Sequence, residues 1–245
     1  MAKFAKNTRR AIKQVTVAGR QALLARSPPW LNRALGPTAS YLDMLFVDHG
    51  VLRLAYLNRH RIKGEAWRAA QPAPHDIARF SRMGIKTIVN LRGERLCGSY
   101  WLEKAACAKH GITLENYQVR SRAAPRPSEV LGARDLFERI EYPMLMHCKS
   151  GADRVGMMSV LYLHFHEGLP IEEALSGLSL RYGHIRQADT GVLDYFFERY
   201  LAANKVSPVS FEAWVETAYD SEEVIASFRA KGWANKIVNT ILRRE

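Results

Sequence analysis

Cysteine is scarce in this chain of 245 residues, which has three: Cys97, Cys107 and Cys148. They are too few for a disulfide framework, and none of them forms the close pair that is usual in a structural zinc site. The simplest interpretation is a reducing compartment, in which a thiol stays free to react. A single reactive cysteine is therefore the first candidate for chemistry.

Long hydrophobic runs are also missing. No stretch of apolar residues approaches the length of about 20 that a transmembrane helix needs, and the most apolar one, 41–57, is interrupted by Asp43, Asp48, His49 and Arg53. The basic start of the chain lacks the apolar segment and small-residue cleavage site of a secretory signal. We therefore expect a cytoplasmic protein.

Acidic residues are absent from residues 1–42, a block that contains eight lysines and arginines. Its apolar residues recur at roughly helical spacing up to Pro28, which predicts a basic N-terminal helical extension over residues 1–59. For residues 1–40 one interpretation is an amphipathic helix at an anionic membrane surface, on the inner face of the membrane. A solvated helix or a frayed tail is the other. The net charge of +12 on the whole chain favours anionic partners in either case.

The rest of the chain has the composition of a folded domain, with 47% hydrophobic residues. Short β-branched runs alternate with longer helical patterns over residues 60–205. Such alternation predicts an α/β fold, with a mostly parallel central sheet of about four or five strands flanked by helices. Residues 206–245 are predicted to be a helical C-terminal extension. The predicted strands are 67–70, 85–91, 112–119 and 142–148, and the predicted helices are 75–83, 101–110, 128–140, 153–167, 171–180 and 190–203.

The segment 147–156, HCKSGADRVG, lies between a hydrophobic strand pattern and an apolar helical pattern. At such a junction the loop amides and the helix N-terminus converge on an anion, and an arginine can bind two of its oxygens. Helix N-termini and nearby cations also favour the thiolate form of cysteine. The segment therefore predicts a phosphate site, with Cys148 placed to attack phosphorus and Arg154 placed to hold the oxygens.

This segment resembles the phosphate-binding loop of the protein tyrosine and dual-specificity phosphatases, whose signature is His-Cys, five residues and Arg. The matching positions are His147, Cys148 and Arg154. Upstream, WRAAQP at 67–72 and GIKTIVNLRGE at 84–94 resemble the opening strands of compact bacterial members of that superfamily. The resemblance implies a phosphatase domain over residues 60–205 that needs neither a metal nor a cofactor.

Two positions depart from the family pattern. Val155 stands where the family usually has Ser or Thr, whose hydroxyl helps the thiolate to leave, so slower hydrolysis of the phosphoenzyme is expected. The loop 120–128 holds no carboxylate, although many relatives carry their general acid there. Asp153 is the best replacement, as in myotubularin-like loops, and Glu129 is the second candidate. The structural alternative for Asp153 is a helix cap or an ion pair with Arg154, and that for Glu129 is a charge that complements a helix dipole.

A cationic rim is expected around the loop, because the loops at the carboxyl ends of parallel strands form the binding crevice. His184, between two predicted helices, is a candidate for positioning water or substrate, and a structural histidine is its alternative. The rim includes Arg92, Arg95, Arg120, Arg122 and Lys149. The residues predicted to bind substrate are His147, Lys149, Ser150, Gly151, Ala152, Arg92 and Arg122, beside the catalytic Cys148, Arg154 and Asp153.

The leading functional prediction is a cysteine-dependent phosphomonoesterase of the protein tyrosine or dual-specificity type, which acts on a phosphorylated protein. A second is a lipid phosphatase for a phosphoinositide or a phosphorylated glycolipid such as lipid A, since several anionic groups would suit the rim. A third is a catalytically weak phosphate-binding module, in view of Val155 and the missing loop acid. Nucleic-acid binding is disfavoured because aromatic residues are not interleaved with the basic ones. The oligomeric state is left open.

Overall fold

The computed structural model describes residue 38, residues 40–44 and residues 56–230. The N-terminal extension predicted for residues 1–59, including the amphipathic helix that one interpretation places at a membrane surface, lies mostly outside the described residues. The same holds for residues 231–245 of the predicted C-terminal extension. Over the residues that the structure describes, no helix is both long and apolar enough to cross a membrane.

A five-stranded sheet forms the centre of the fold, in the order β1-β2-β5-β3-β4. β1 runs antiparallel to β2, and the other neighbouring pairs are parallel. The predicted mostly parallel sheet is thus confirmed. The short edge strand β1 is not apparent from the sequence, since it has only one apolar side chain in HRIK. The strands are β1 (His60–Lys63), β2 (Ala66–Ala70), β3 (Thr87–Asn90), β4 (Thr113–Asn116) and β5 (Met144–Cys148).

Apart from the helix predicted over residues 171–180, the helices of the predicted phosphatase domain lie within a few residues of their predicted positions. They are α1 (Pro74–Arg82), α2 (Gly98–Lys109), α3 (Pro127–Arg139), α4 (Asp153–Phe165), α5 (Ile171–Ala174), α6 (Val192–Val206) and α7 (Phe211–Thr217). Residues 221–230 are also helical.

The helix predicted over residues 171–180 was wrong in its second half. α5 ends at Ala174, and two 3₁₀ turns follow at Leu175–Gly177 and Leu180–Tyr182. One tertiary hydrogen bond and one local hydrogen bond are found there in place of the helical pattern. The carbonyl oxygen of Gly177 accepts a hydrogen bond from Arg68 of β2 at 2.7 Å, and the hydroxyl of Ser179 accepts one from the backbone N–H of Arg181.

The two faces of the sheet are covered by different helices. On one face α3, α4, α6 and α7 build the larger hydrophobic cluster, and on the other face α1 and α2 build a smaller one. Every residue of the central strand β5 is buried. Met144, Met146 and Cys148 join the larger cluster and Leu145 joins the smaller one, as the alternation of side chains along a strand requires. β5 thus places Cys148 at the carboxyl end of the central strand of the sheet.

Helix α7 belongs to the larger cluster although it lies beyond the predicted domain boundary at residue 205. Phe211 and Trp214 are buried there together with Phe196 of α6, and the ring centroids of Phe196 and Phe211 are 5.9 Å apart. The predicted boundaries, 1–59, 60–205 and 206–245, stay predictions.

Candidate active site

The loop between β5 and α4 carries the predicted nucleophile and the predicted phosphate-binding arginine. Cys148 ends β5 and is 2% exposed, and Arg154 lies in the first turn of α4. No side chain from the described part of the chain caps the N-terminus of α4. The first N–H groups of a helix have no partner within the helix and attract anions. The loop that follows Cys148 therefore ends in free N–H donors that can bind an anion.

Several positive side chains act on this loop together. Burial lowers the pKa of Arg154, the neighbouring Cys148 raises it, and Arg92 and Arg95 lower it further. These four groups therefore lie within electrostatic reach of one another. The Nε atom of Arg154 is buried and has no hydrogen-bond partner among the described residues. A buried guanidinium nitrogen of this kind suits an anionic ligand.

Gly151 allows the loop to lie directly on strand β2. Its φ angle is +73°, in the region that favours glycine. A Cβ atom at this position would lie 2.7 Å from the backbone of Ala69 and of Ala70. Because backbone cannot move aside cheaply, only glycine fits here.

Arg68 of β2 binds carbonyl groups of the phosphate loop, a role that the sequence did not indicate. It is 1% exposed, and its Nη2 atom donates hydrogen bonds to the carbonyl oxygens of Gly151 at 2.9 Å and Ala152 at 3.1 Å. Its guanidinium carbon lies 3.9 Å from the ring centroid of Tyr182. Burial lowers the pKa of Arg68 to about 10, while Tyr182 and Cys148 oppose that shift. The only signal for it in the sequence is an arginine within an otherwise apolar strand pattern.

Next to the phosphate loop, a second set of buried polar side chains surrounds Glu103 of α2. Glu103 is fully buried. The Nε2 atom of His147 lies 2.5 Å from Oε1 of Glu103, although the two atoms lack the alignment of a hydrogen bond. Gln71 donates to the other oxygen of Glu103 at 2.6 Å and accepts from Arg92 at 2.5 Å. His147 and Arg92 thus have buried partners, which favours a supporting part for both. Their predicted roles in substrate binding stay predictions.

The other predicted binding residues lie at different depths. Within the loop, Lys149 is half-buried and Ser150 is exposed, while Ala152 is buried. Arg122 is exposed in the connection between β4 and α3. Asn58, another residue that the sequence did not indicate, donates to the carbonyl oxygen of Ser150 at 3.0 Å and so fixes the loop from the side.

Arg120, which was expected at the cationic rim, has carboxylate partners instead. Its Nε atom lies 3.4 Å from Oε2 of Glu129, and its Nη1 atom lies 3.8 Å from Glu222 near the C-terminal end. The same oxygen of Glu129 accepts the backbone N–H of Arg126 at 2.7 Å. Glu129 therefore acts as a cap of α3, which agrees with its structural alternative.

Asp153, the leading candidate for the general acid, contacts a histidine from another part of the chain. Its Oδ1 atom lies 2.8 Å from Nδ1 of His184, and the Nε2 atom of the same ring lies 2.7 Å from Oδ2 of Asp194. The structure thus brings His184, Asp153 and the phosphate loop together.

A comparison with protein families decides the identity. Residues 57–190, more than half of the chain, match the family model described as DSP-PTPase phosphatase fused to NAD+ kinase. The chain belongs to this family of cysteine-based dual-specificity phosphatases. It is a protein tyrosine/dual-specificity-like phosphatase, as the phosphate loop implied.

Several solved structures are similar to this phosphatase. TpbA from P. aeruginosa is 19% identical, with 71% of this chain and 91% of that chain covered and a TM-score of 0.47. Tk-PTP in its active form is 24% identical, with 59% and 99% covered and a TM-score of 0.46. The core catalytic domain of the PP-IP phosphatase SIW14 from S. cerevisiae is 16% identical, with 63% and 96% covered and a TM-score of 0.46. No curated protein matches the chain.

The phosphatase has an apolar side chain at the position that follows Arg154. Val155 is fully buried in the same hydrophobic cluster as Cys148. The hydroxyl of the nearby Ser159 donates to the carbonyl oxygen of Val155 at 2.7 Å, as is common for serine within a helix. Val155 therefore brings no hydroxyl to Cys148.

Proposed function

We propose that this phosphatase is a phosphomonoesterase that works through a covalent phosphoenzyme on Cys148. The observation that carries the proposal is the position of Cys148 at the end of β5, one short loop before the uncapped start of α4 and within electrostatic reach of Arg154. The thiolate attacks phosphorus, and Arg154 and the loop amides bind the non-bridging oxygens. The leaving oxygen receives a proton by way of Asp153, and water then hydrolyses the thiophosphate.

The test is phosphate release by purified wild-type protein and by Cys148→Ser, from phosphotyrosine and phosphoserine peptides, phosphoinositides and lipid A. Cys97→Ser is the matched control, because Cys97 is the N-cap of α2 and serine is a good N-cap residue. We expect Cys148→Ser to abolish turnover while still binding ligand, and Cys97→Ser to retain it. Turnover near the wild-type rate in Cys148→Ser would remove the nucleophile assignment.

Failure of the wild-type protein to release phosphate from any of these substrates, while it still binds them, would favour the phosphate-binding module. The preferred substrate in an active sample would separate a protein phosphatase from a lipid phosphatase.

One observation favours a phosphorylated lipid as substrate. The loop that carries Tyr182 and His184 also holds two exposed apolar side chains, Leu180 at 76% and Ile185 at 51% exposure. Each is followed along the chain by an exposed arginine, Arg181 or Arg186. Apolar side chains beside cations are the combination that binds the surface of an anionic bilayer. The same loop contacts the phosphate site through Arg68 and Asp153, so a lipid head group would be close to Cys148.

The lipid proposal is tested with the double variant Leu180→Gln, Ile185→Gln. Val206→Gln is the control, since Val206 is 88% exposed at the far end of α6. We expect the double variant to lose about tenfold or more of the hydrolysis of phosphoinositide in vesicles and to keep hydrolysis of a soluble phosphate ester. Equal rates on vesicles for the double variant and the control would remove the lipid proposal.

A further inference from the structure

Both ring nitrogens of His184 face carboxylates. Nδ1 lies 2.8 Å from Oδ1 of Asp153 and Nε2 lies 2.7 Å from Oδ2 of Asp194. A neutral imidazole has only one N–H donor, whereas an imidazolium has two. Two carboxylate acceptors at these distances are therefore both satisfied only when His184 carries a proton on each nitrogen.

The groups around His184 stabilise its protonated, positively charged form. The residue is 3% exposed, and burial alone would lower its pKa. The hydrogen bonds and charges of Asp153 and Asp194 outweigh burial and raise the pKa of His184 to about 9. The charged groups that act on the ring are Asp153 at the start of α4 and Asp194 in the first turn of α6. The backbone N–H of His184 donates a hydrogen bond to the carbonyl oxygen of Ser179.

This arrangement changes what Asp153 can do on its own. A carboxylate that accepts a hydrogen bond from an imidazolium is the unprotonated partner, so the proton of the pair resides on His184. Asp153 by itself then has no proton to give. It adjoins Arg154 in the sequence and its side chain is 24% exposed, so it can pass a proton between the buried ring and the loop.

We propose that His184 is the proton store of the reaction, a positioning residue that supplies and recovers a proton through Asp153. The proposal rests on the proposed phosphoenzyme mechanism. When the bond from phosphorus to the leaving oxygen breaks, its electron pair stays on that oxygen. The proton on Nδ1 of His184 moves to Asp153, and Asp153 passes it on to that oxygen. The ring is then neutral, and both carboxylates remain ionised.

The second step reverses the transfer. Water attacks phosphorus, the bond between sulfur and phosphorus breaks, and its electron pair returns to Cys148 as the thiolate. The proton that water loses passes to Asp153 and on to Nδ1 of His184. The imidazolium is restored, and free phosphate leaves. Asp194 stays ionised throughout and keeps Nε2 protonated.

The first test uses His184→Gln, which can keep one hydrogen bond but carries no titratable proton. His75→Gln is the matched control, because His75 is an exposed histidine that also lies beside an aspartate. We expect kcat/KM, which reports transfer of the phosphoryl group to Cys148 and not the later hydrolysis, to fall about a hundredfold in His184→Gln on an alkyl phosphate, which has a poor leaving group. The value of kcat/KM on p-nitrophenyl phosphate, which has a good leaving group, should fall less than about threefold, since protonation adds little there. An equal loss on both substrates would mean that His184 only braces the loop.

The second test keeps the histidine and removes one of its carboxylates. Asp194→Asn should lower the pKa of His184, so the alkaline limb of the kcat/KM profile on the alkyl phosphate should move to lower pH, by about one unit or more. The imidazole resonance of His184, assigned by comparison with His184→Gln, should titrate over the same range. An alkaline limb that stays in place while the resonance moves would overturn the proposal.

Failure of this proposal can be told apart from failure of the proposed function. If Cys148→Ser retains turnover, the phosphoenzyme mechanism is wrong and the proton store is wrong with it. If turnover depends on Cys148 but His184→Gln has the same effect on both leaving groups, only the proton store is wrong.

Discussion

The Nη2 atom of Arg68 donates a hydrogen bond to the carbonyl oxygen of Gly151 at 2.9 Å. A trans peptide unit is planar, so its C=O and N–H groups point in opposite directions. By binding the carbonyl groups of Gly151 and Ala152, Arg68 turns the N–H groups of Ala152 and Asp153 away from itself. The buried cation therefore orients the donors of the phosphate loop without being exposed to a ligand.

Replacement of Arg68 by lysine tests this role. Lysine keeps the charge but loses the planar fork that reaches three carbonyl groups. We expect Arg68→Lys to weaken binding of inorganic phosphate about tenfold or more and to lower the free energy of unfolding by about 2–4 kcal/mol, because buried carbonyl groups lose their partners. Isothermal titration and urea denaturation measure the two effects. Arg61→Lys, on the exposed edge strand, is the control, and a result no larger than the control would refute the role.

Val155 predicts a slow second step. Threonine has nearly the same shape as valine and adds a hydroxyl beside Cys148 in the position that the family usually fills. We expect the wild-type protein to show a burst of released alcohol followed by slower turnover, and Val155→Thr to turn over several times faster with a smaller burst. Rapid-quench kinetics measures both. Val160→Thr, also fully buried in α4, controls for the cost of burying a hydroxyl, which is about 1–3 kcal/mol. If wild-type protein shows no burst, the second step is not limiting.

The buried cysteines should differ sharply in their reaction with iodoacetamide. Burial, assisted by the charge of Glu103, raises the pKa of Cys107 to about 12, so at pH 8 it stays a protonated thiol and should not react. Cys148 should be alkylated at pH 8, and excess inorganic phosphate should protect it. Mass spectrometry of the digested protein gives the extent of each modification. Labelling of Cys107 at the rate of Cys148 in folded protein would contradict this expectation.

The parts of the fold that the sequence revealed are those governed by local pattern. β5 was recognisable because a strand buried on both faces is almost continuously apolar. Cys148 and Arg154 were recognisable because their spacing spans one loop between a strand and a helix. Both features are complete within about ten consecutive residues, so no distant contact was needed to find them.

The remainder of the site depends on contacts between distant parts of the chain. The ring of His184 reaches Asp153 across 31 positions, and Arg68 reaches Gly151 across 83. Arg120 looked like a rim residue because its loop lies near the site, yet the C-terminal region provides Glu222 as its partner. Such pairings follow from how helices pack on the sheet, and periodicity in one segment carries no information about them.

Residues beyond 205, where the sequence places the C-terminal boundary, also contact distant parts of the chain. Phe211 of α7 is 1% exposed, and its ring centroid lies 5.1 Å from that of Tyr200. Tyr219 beyond α7 donates from its hydroxyl to the carbonyl oxygen of Pro125 at 2.6 Å. These contacts join residues 206–230 to the connection before α3 and to the face of α6.

If these contacts belong to one cooperative unit, Phe211→Ala should destabilise the whole phosphatase. Removal of a buried phenylalanine costs about 3–5 kcal/mol, so the urea midpoint measured by loss of phosphatase activity should fall together with the midpoint measured by tryptophan fluorescence. Phe228→Ala is the control, because Phe228 is only partly buried and should cost clearly less. A boundary at residue 205 predicts a different result, since loss of an independent extension would leave the midpoint measured by activity where it is in the wild-type protein.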